Sequence, residues 1–393
     1  VYFLRERLKA FGRERATIRH VHVVGAGEMG GDIAGWCALE GLRATVTDLD
    51  PQAIAVAVGR ASELFADQLT EASARRAAAD RLIPDVAGVG LGHADLVIEA
   101  VAEDVDVKRK LYGELARGMK PEAVIATNTS SLPLDALRAD LAAPGRLVGL
   151  HFFNPVAKMP LVEVIADGTT DDDARRLAHA FCGRIDKLAA PVAGTPGFLV
   201  NRILTPYLLE AVALLDEGVP PATVDAAAEG FGMAMGPVAV ADRVGLDIAL
   251  DVAAKLGAAL DVELPSVPDW LRRKVADGAL GRKSGGGLYV WESGRPRKDE
   301  NAPPPDEAMR ERLVLAMVNT AAACLRERVC KDADVLDAAM IFGAGFAPFR
   351  GGPCRYARAR GLDDVRRAVE VLAATHGARF APDPGLELLA EGE

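Results

Sequence analysis

The sequence predicts an α/β domain followed by two repeated all-α domains. Between residues 20 and 192, apolar β-branched runs alternate with helical stretches, a pattern typical of a mostly parallel sheet covered on both faces. Beyond Thr195-Pro196-Gly197 the strand patterns nearly vanish, and Ala- and Leu-rich helical periodicity replaces them. Within this helical part, one order of Asp, Gly and Pro residues occurs twice.

The composition fits a folded protein of several domains and excludes some classes of function. Of the 393 residues, 50% are hydrophobic and 26% are charged, an ordinary globular balance. The net charge of −10 argues against nucleic acid as the main ligand, and no apolar run approaches the ~20 residues of a membrane span. The five cysteines show no C-x-x-C spacing, so we expect reduced thiols in the cytoplasm and no metal site.

Residues 1–17 predict a short amphipathic connector helix. Leu4, Leu8 and Phe11 share one helical face, and basic side chains surround it. One short apolar stripe is too small to anchor a protein in a membrane, so we expect the helix to dock on the folded domain. A first residue other than Met is what a piece of a longer protein would show.

Residues 18–194 form the predicted α/β domain. The stretch 51–80 is long for one crossover and predicts a helical hairpin projecting from the sheet, with Asp50 as its cap and Pro51 in its first turn. The expected strands lie at 20–24, 44–47, 95–98, 123–127, 146–153 and 161–165.

The helical part is predicted to contain two copies of one unit, packed on each other. Residues 224–247 and 336–363 share, in order, Asp-Ala-Ala, Phe-Gly, Gly-Pro and Gly-Leu-Asp. Chance similarity between Ala-rich helices is the alternative, but Gly, Pro and Asp set turns rather than fill helices. The expected divisions are a first copy at 195–292, a Pro-containing hydrophilic linker at 293–307 and a second copy at 308–393.

A glycine-rich turn separates the first predicted strand from its helix. Gly25, Gly27 and Gly30 fit G-x-G-x-x-G, which provides a tight turn, a close backbone approach to a pyrophosphate and close helix–strand packing. The next strand ends at Asp48, near the spacing expected of the acid that binds the adenosine ribose. No Arg or Lys follows it at once to accept a 2′-phosphate. We therefore predict a Rossmann-type domain that prefers NAD to NADP.

Three polar clusters are expected where parallel strands end, which is where ligands bind in such sheets. Glu99 and Glu103 bracket the first cluster, Asn128 begins the Asn-Thr-Ser-Ser of the second, and His151 begins the third. Taken alone, Asn128 and Ser130 could equally be capping residues.

His151 requires a partner to be functional, since a lone His in an apolar run is usually a core residue. Glu163 lies in the apolar pattern Leu-Val-Glu-Val-Ile, where an unpaired carboxylate would be costly. A hairpin centred near Ala157 would place the two residues opposite each other, although other packings could also join them. Such a His–Glu pair could take a hydroxyl proton while a hydride leaves to a nicotinamide.

Asn201 begins the helical part and would by itself be an ordinary polar helix residue. At an offset of about 110 residues, Glu311 takes its position in the second copy, whereas Arg202 corresponds to Arg312. The second copy keeps the scaffold and loses the amide, which predicts that Asn201 serves a site.

Together, the motifs VGAGEMG, NTSS, GLHFFNP, LVEVI, TPGFLVNR and FGMAMGP resemble the L-3-hydroxyacyl-CoA dehydrogenase family over nearly the whole chain. The resemblance implies oxidation of an L-3-hydroxyacyl-CoA to the 3-oxoacyl-CoA with NAD⁺, and it identifies the helical copies with the C-terminal-type domains of that family. GFAPFRGGP looks like the multifunctional β-oxidation enzymes, in which an enoyl-CoA hydratase region precedes the dehydrogenase. No such region is present in this sequence, and residues 1–17 would then be the connector helix that follows it in those enzymes.

The same resemblance bears on assembly. Short family members lack the second copy and use a second subunit in its place. Two copies in one chain therefore imply a monomer, or a homodimer through another surface.

The resemblance assigns roles residue by residue. His151 matches the general base, Glu163 its orienting carboxylate, Ser130 the residue that hydrogen-bonds the substrate oxygen, and Asn201 the amide that places the thioester. The positions matching the cofactor site are Gly25, Gly27, Glu28, Met29, Gly30 and Asp48, with Glu103, Lys108 and Asn128 along the nicotinamide half.

The coenzyme A contacts depart from the family pattern. Leu64 and Glu71 stand where short members carry hydroxyl and basic residues, so these contacts and the acyl chain length stay unassigned.

Two other functions are compatible with parts of the sequence. Other NAD enzymes with helical second domains, such as the 6-phosphogluconate and 3-hydroxyisobutyrate dehydrogenases, use a catalytic Lys, which the His–Glu pattern disfavours. A non-catalytic NAD-binding or structural relative would show damage to His151, Glu163 or the glycine turn, and all three are intact.

Overall fold

The computed structural model describes residues 1–260 and 263–390, which divide into an α/β unit, Tyr2–Thr195, and a helical unit, Pro196–Glu393. The α/β unit contains one eight-stranded sheet, in the order β3-β2-β1-β4-β5-β6-β7-β8. Its strands are β1 (His20–Val24), β2 (Arg43–Thr47), β3 (Leu82–Pro84), β4 (Leu96–Glu99), β5 (Val124–Thr127), β6 (Leu147–Phe152), β7 (Leu161–Ile165) and β8 (Leu188–Val192).

The first six strands in the chain, β1 to β6, are mutually parallel. Strand β7 runs antiparallel to β6, and β8 runs parallel to β7. Valine, leucine and isoleucine of the central strands are almost fully buried because helices cover both faces. The helices of this unit are α1 (Tyr2–Phe11), α2 (Glu28–Leu39), α3 (Pro51–Gln68), α4 (Ala72–Arg81), α5 (Val105–Gly118), α6 (Leu134–Arg138) and α7 (Asp172–Arg184).

The six predicted strands are present, but the sequence analysis missed the two edge strands. Strand β3 has only three residues and ends in Pro84, which gives no recognisable alternation. Strand β8 reads Leu-Ala-Ala-Pro-Val, and proline is accepted in it because β8 lies at the sheet edge. Both sequences have weak intrinsic strand preference, so neighbouring elements decide their conformation.

The predicted helical hairpin at 51–80 forms as α3 and α4, with one correction. Asp50 caps α3 by accepting a hydrogen bond from the Gln52 N–H at 2.9 Å, and Pro51 begins the helix. The prediction that the hairpin projects from the sheet was wrong for α3. Its buried face packs along α2, because Gly31 and Gly35 let the two helices approach closely.

Helix α1 docks on the α/β unit, as its amphipathic pattern predicted. Leu4 and Leu8 are buried, and the helix packs against α7 and β8. At its end Gly12 meets Gly183 so closely that a Cβ on Gly12 would lie 2.8 Å from the Gly183 Cα. No helix in the described part of the chain is long and apolar enough to cross a membrane.

The helical unit contains two sets of helices and a connecting segment. A two-stranded ribbon, β9 (Trp291–Glu292) and β10 (Arg295–Pro296), begins that segment. The helices are α8 (Val200–Asp216), α9 (Pro221–Phe231), α10 (Pro237–Val244), α11 (Leu246–Ala259), α12 (Asp269–Ala276), α13 (Glu307–Arg326), α14 (Ala333–Ala344), α15 (Pro353–Arg360) and α16 (Leu362–His376).

Two buried aspartates hold corresponding helix starts in the two sets. Asp225 on α9 accepts a hydrogen bond from the Val238 N–H at the start of α10, at 2.8 Å. Asp337 on α14 accepts one from the Cys354 N–H at the start of α15, at 2.7 Å. The segment after β10 is tied to the first of these aspartates, since the Lys298 ammonium lies 3.0 Å from Asp225.

Candidate active site

The glycine-rich turn joins β1 to α2. Gly25 has a φ of +97°, and a Cβ there would lie 2.6 Å from the Ala100 carbonyl oxygen. A Cβ on Gly30 would collide with the Gly25 carbonyl oxygen. A Cβ on Gly27, by contrast, would meet nothing within 4 Å among the described residues. The first and third glycines are therefore needed for packing, and the second leaves an open side at the α2 N-terminus that fits a pyrophosphate.

Asp48 directly follows β2 and is bonded to the same turn. Its Oδ2 accepts a hydrogen bond from the Ala26 N–H at 2.6 Å, and its Oδ1 accepts one from the Asp50 N–H at 2.9 Å. The carboxylate is therefore oriented before any ligand arrives. A half-buried carboxylate at this place suits two ribose hydroxyls and repels a 2′-phosphate.

Glu28 and Met29 both lie in the first turn of α2, but their side chains point to different surroundings. Glu28 is exposed, and its Oε1 accepts a hydrogen bond from the Asn154 amide at 2.9 Å. Met29 packs against the hydrophobic core of the sheet, so its first-turn N–H is what it can offer a ligand.

Glu103 gathers the hydroxyl-rich loop that follows β5. Its Oε1 accepts hydrogen bonds from the Thr129 hydroxyl at 2.5 Å, from the Ser130 N–H at 2.9 Å and from the Ser131 hydroxyl at 3.2 Å. Burial acts to raise the pKa of Glu103, but the Thr129 hydrogen bond, the Lys108 charge and the serine donors outweigh it and lower that pKa. The loop carrying Ser130 is thus fixed by an ionised carboxylate.

Lys108 lies behind Glu103 and is almost completely buried. Its Nζ donates to the Glu99 carboxylate at 2.6 Å and lies 3.7 Å from the second oxygen of Glu103. Glu99 is also buried and accepts hydrogen bonds from the hydroxyls of Tyr112 and Thr127. Lys108 therefore orients Glu103 and is placed to affect a ligand through that carboxylate.

His151 and Glu163 face each other across β6 and β7. The strand register pairs the two residues, and the His151 Nδ1 lies 2.6 Å from the Glu163 carboxylate. Both side chains are buried. The hairpin pairing expected from the sequence is confirmed. Asn128 supports the same strand end, because its side-chain oxygen accepts a hydrogen bond from the Phe152 N–H at 2.9 Å.

The remaining predicted residues lie on helices or directly before one. Asn201 is the second residue of α8, in the helical unit, and its carbonyl accepts a hydrogen bond from the Thr205 hydroxyl at 2.7 Å. Glu311, its expected counterpart, forms an ion pair with Arg360. Leu64 is half-buried on α3, and Glu71 is exposed just before α4.

Sequence analysis missed several residues that shape this site. The sequence analysis assigns no role to Thr129, although its hydroxyl makes the shortest hydrogen bond to Glu103. Lys187 was not singled out, yet it donates to the Val156 and Met159 carbonyls in the segment between β6 and β7. Burial lowers the pKa of Lys187 to about 8. A lysine next to an apolar strand was the available signal.

Comparison with known proteins agrees with this geometry. Residues 20–195 match the family profile described as 3-hydroxyacyl-CoA dehydrogenase, NAD binding domain, and residues 197–291 match the profile of its C-terminal domain. The 3-hydroxybutyryl-CoA dehydrogenase structure of Escherichia coli K12 is 26% identical, covers 95% of this chain and 98% of its own, and has a TM-score of 0.83.

Two further structures extend the comparison. The (S)-3-hydroxybutyryl-CoA dehydrogenase PaaH1 of Ralstonia eutropha is 34% identical over 70% of this chain and 100% of its own, with a TM-score of 0.65. The dehydrogenase part of multifunctional enzyme 1 from C. elegans, at 24% identity, covers 98% of this chain and 96% of its own with a TM-score of 0.68, and shows a shared fold.

The cofactor is NAD, which the glycine turn and Asp48 fit. Among the residues that the structure describes, no group of His, Cys, Asp or Glu could hold a metal ion. The profile matches together span more than half of the chain. On this evidence the chain belongs to the 3-hydroxyacyl-CoA dehydrogenase family.

Proposed function

We propose that this protein oxidises an L-3-hydroxyacyl-CoA to the 3-oxoacyl-CoA, a step of fatty-acid β-oxidation. The observation that carries the proposal is the buried His151–Glu163 pair, with 2.6 Å between Nδ1 and the carboxylate. Similarity to two 3-hydroxybutyryl-CoA dehydrogenases supports a short acyl chain as the first substrate to test.

In the proposed mechanism, Glu163 holds the His151 ring through Nδ1, which assigns Nε2 as the atom that takes the hydroxyl proton. The charge of Glu163 stabilises the imidazolium that results. Ser130 donates a hydrogen bond to the substrate oxygen, and Glu103 fixes the Ser130 loop. NAD⁺, when bound, accepts the hydride. Asn201 is assigned to the thioester end of the substrate.

The test is NADH oxidation by the purified protein with acetoacetyl-CoA, run beside His151→Ala. We expect turnover that falls about 10²- to 10⁴-fold in the variant while NADH binding is retained. Parallel assays with NADPH and a longer 3-oxoacyl-CoA measure cofactor preference and chain length. An inactive wild-type protein that still binds NADH, or a fully active His151→Ala variant, would contradict the assignment.

We also propose that α8–α11 and α13–α16 are two copies of one unit, separated by the linker at 293–307. Reciprocal ion pairs support this. Arg202 pairs with Glu327, and Arg312, 110 residues after Arg202, pairs with Glu217, 110 residues before Glu327. Such reciprocity is typical of a two-fold interface. We expect a monomer in sedimentation velocity, and a tight dimer joined through α8 would contradict this.

The five cysteines fit a reducing compartment such as the cytoplasm, which we propose as the location. All of them are buried in the structure, as structural thiols of a reducing compartment are.

A further inference from the structure

Arg60 on α3 reaches across to the glycine-rich turn. Its Nε donates a hydrogen bond to Asp32 of α2 at 2.9 Å. Its Nη2 donates to the Gly27 carbonyl at 2.9 Å and to the Glu28 carbonyl at 3.3 Å. One guanidinium thus joins a carboxylate to two carbonyls in the turn that faces the cofactor.

The packing of the two helices makes room for this contact. Gly31 follows the last glycine of the motif, and a Cβ there would lie 2.6 Å from the Arg60 Nη2. The absence of a side chain at this position is therefore what lets the guanidinium lie over the start of α2.

The charges around the turn are unfavourable to a pyrophosphate without Arg60. Glu28 and Asp32 place two carboxylates within the first six residues of α2. Burial and the neighbouring Glu28 raise the pKa of Asp32 above its ordinary value, although Arg60 opposes both effects. A carboxylate near the turn repels an anion bound there and lowers its affinity about fivefold at the separations usual within one site.

We propose that Arg60 is a positioning residue for NAD: it neutralises Asp32 and fixes the backbone of the dinucleotide turn, so that this acidic helix start accepts a pyrophosphate. Arg60 acts through Asp32 and the Gly27 and Glu28 carbonyls. The proposal rests on NAD as the cofactor but not on the reaction, because cofactor binding is measured without any acyl-CoA.

The test compares NADH dissociation constants, from NADH fluorescence, for wild type, Arg60→Met, Asp32→Asn and the double variant. We expect Arg60→Met to weaken binding about five- to tenfold, because Asp32 becomes an uncompensated charge. The double variant should recover most of the lost affinity, because the repelling carboxylate is gone, and the remaining defect measures the lost hydrogen bonds to the Gly27 and Glu28 carbonyls.

Arg175 provides a matched control on α7. It also bonds one aspartate, Asp172 at 2.7 Å, and two backbone carbonyls, those of Asp167 and Thr170. Arg175→Met removes the same charge and the same kind of contacts and should leave NADH binding unchanged.

Competition against NADH separates the phosphate contribution from the rest of the cofactor. ADP-ribose should lose affinity in Arg60→Met to the same extent as NADH, whereas adenosine should not. Unchanged NADH binding in Arg60→Met would overturn the proposal. A double variant as weak as Arg60→Met, or an equal loss for adenosine, would also overturn it, because either result indicates a general structural defect.

Discussion

At the residue scale, the Glu163 carboxylate holds the Nδ1 atom of His151, which leaves Nε2 as the nitrogen that we propose takes the proton. Glu163 lies 2.6 Å from Nδ1, and both side chains are buried. Replacing Glu163 by Gln keeps the side-chain volume but changes the tautomer of the His151 ring. We expect Glu163→Gln to lower kcat by about 10²- to 10³-fold with a small change in NADH affinity. Steady-state kinetics with acetoacetyl-CoA measure both. A variant with wild-type kcat would show that the pair is structural.

We expect the charge of Asp48 to set the preference for NAD over NADP. Asp48→Asn keeps an oxygen for the Ala26 N–H but removes the repulsion towards a 2′-phosphate. We expect the ratio of kcat/KM for NADH over NADPH to fall at least about tenfold. A ratio that stays at the wild-type value would mean that another group excludes the phosphate.

At the scale of elements, one buried histidine on β1 and one on α7 make the stability of the α/β unit depend on pH. Burial lowers the pKa of His22 and of His179 to about 4. The unfolded chain, with an ordinary pKa near 6.5, takes up these protons first, so the stability present above pH 6.5 is lost as the pH falls towards 4.

We expect the free energy of unfolding to fall by about 2 kcal/mol per histidine between pH 7 and pH 5. Urea unfolding at the two values measures the difference, and His179→Leu should remove its share. An equal pH dependence in the variant and the wild type would contradict the assignment.

The start of α15 depends on one carboxylate from α14. Asp337 accepts hydrogen bonds from the Cys354 N–H at 2.7 Å and the Arg355 N–H at 3.0 Å, and it is buried. Asp337→Ala should cost about 2–3 kcal/mol, because the buried Cys354 N–H loses its acceptor. Asp306→Ala is the control, since this exposed cap of α13 should contribute only about 1 kcal/mol. Equal losses in thermal unfolding would show that burial adds nothing.

At the scale of the whole molecule, a buried ion network joins the two helical sets. Glu210 of α8 accepts hydrogen bonds from Arg312 of α13 at 2.7 Å and from Arg379 at 2.6 Å. Glu210→Leu alone should destabilise the protein by about 3 kcal/mol, since buried Arg312 keeps only Glu217 and half-buried Arg379 loses its carboxylate.

Combining Glu210→Leu with Arg312→Met should recover part of that loss, because the buried Arg312 charge is removed together with the Glu210 carboxylate. Chemical denaturation of both variants tests the pair. A double variant less stable than Glu210→Leu would show that Arg312 stabilises the helices through other contacts.

Local patterns in the sequence determined much of the fold and of the candidate site. The glycine spacing, the alternation of strands and helices and the cap at Asp50 depend on residues a few positions apart, so they can be recognised before the chain is folded. The His151–Glu163 pairing belongs to the same class, because an antiparallel hairpin fixes its own register.

Contacts between elements that are distant in sequence depend on the tertiary structure. Arg60 reaches Asp32 and Gly27 because α3 packs along α2, and nothing in the pattern of α3 specifies that neighbour. Strand β8 has weak local preference and forms because β7 offers a partner. Local backbone geometry sets the glycine turn and the His151–Glu163 pair, so both can be predicted from the sequence. The packing of whole helices and strands decided the charge balance around the turn and the edges of the sheet, because side-chain burial and ion pairing exist only once those elements meet.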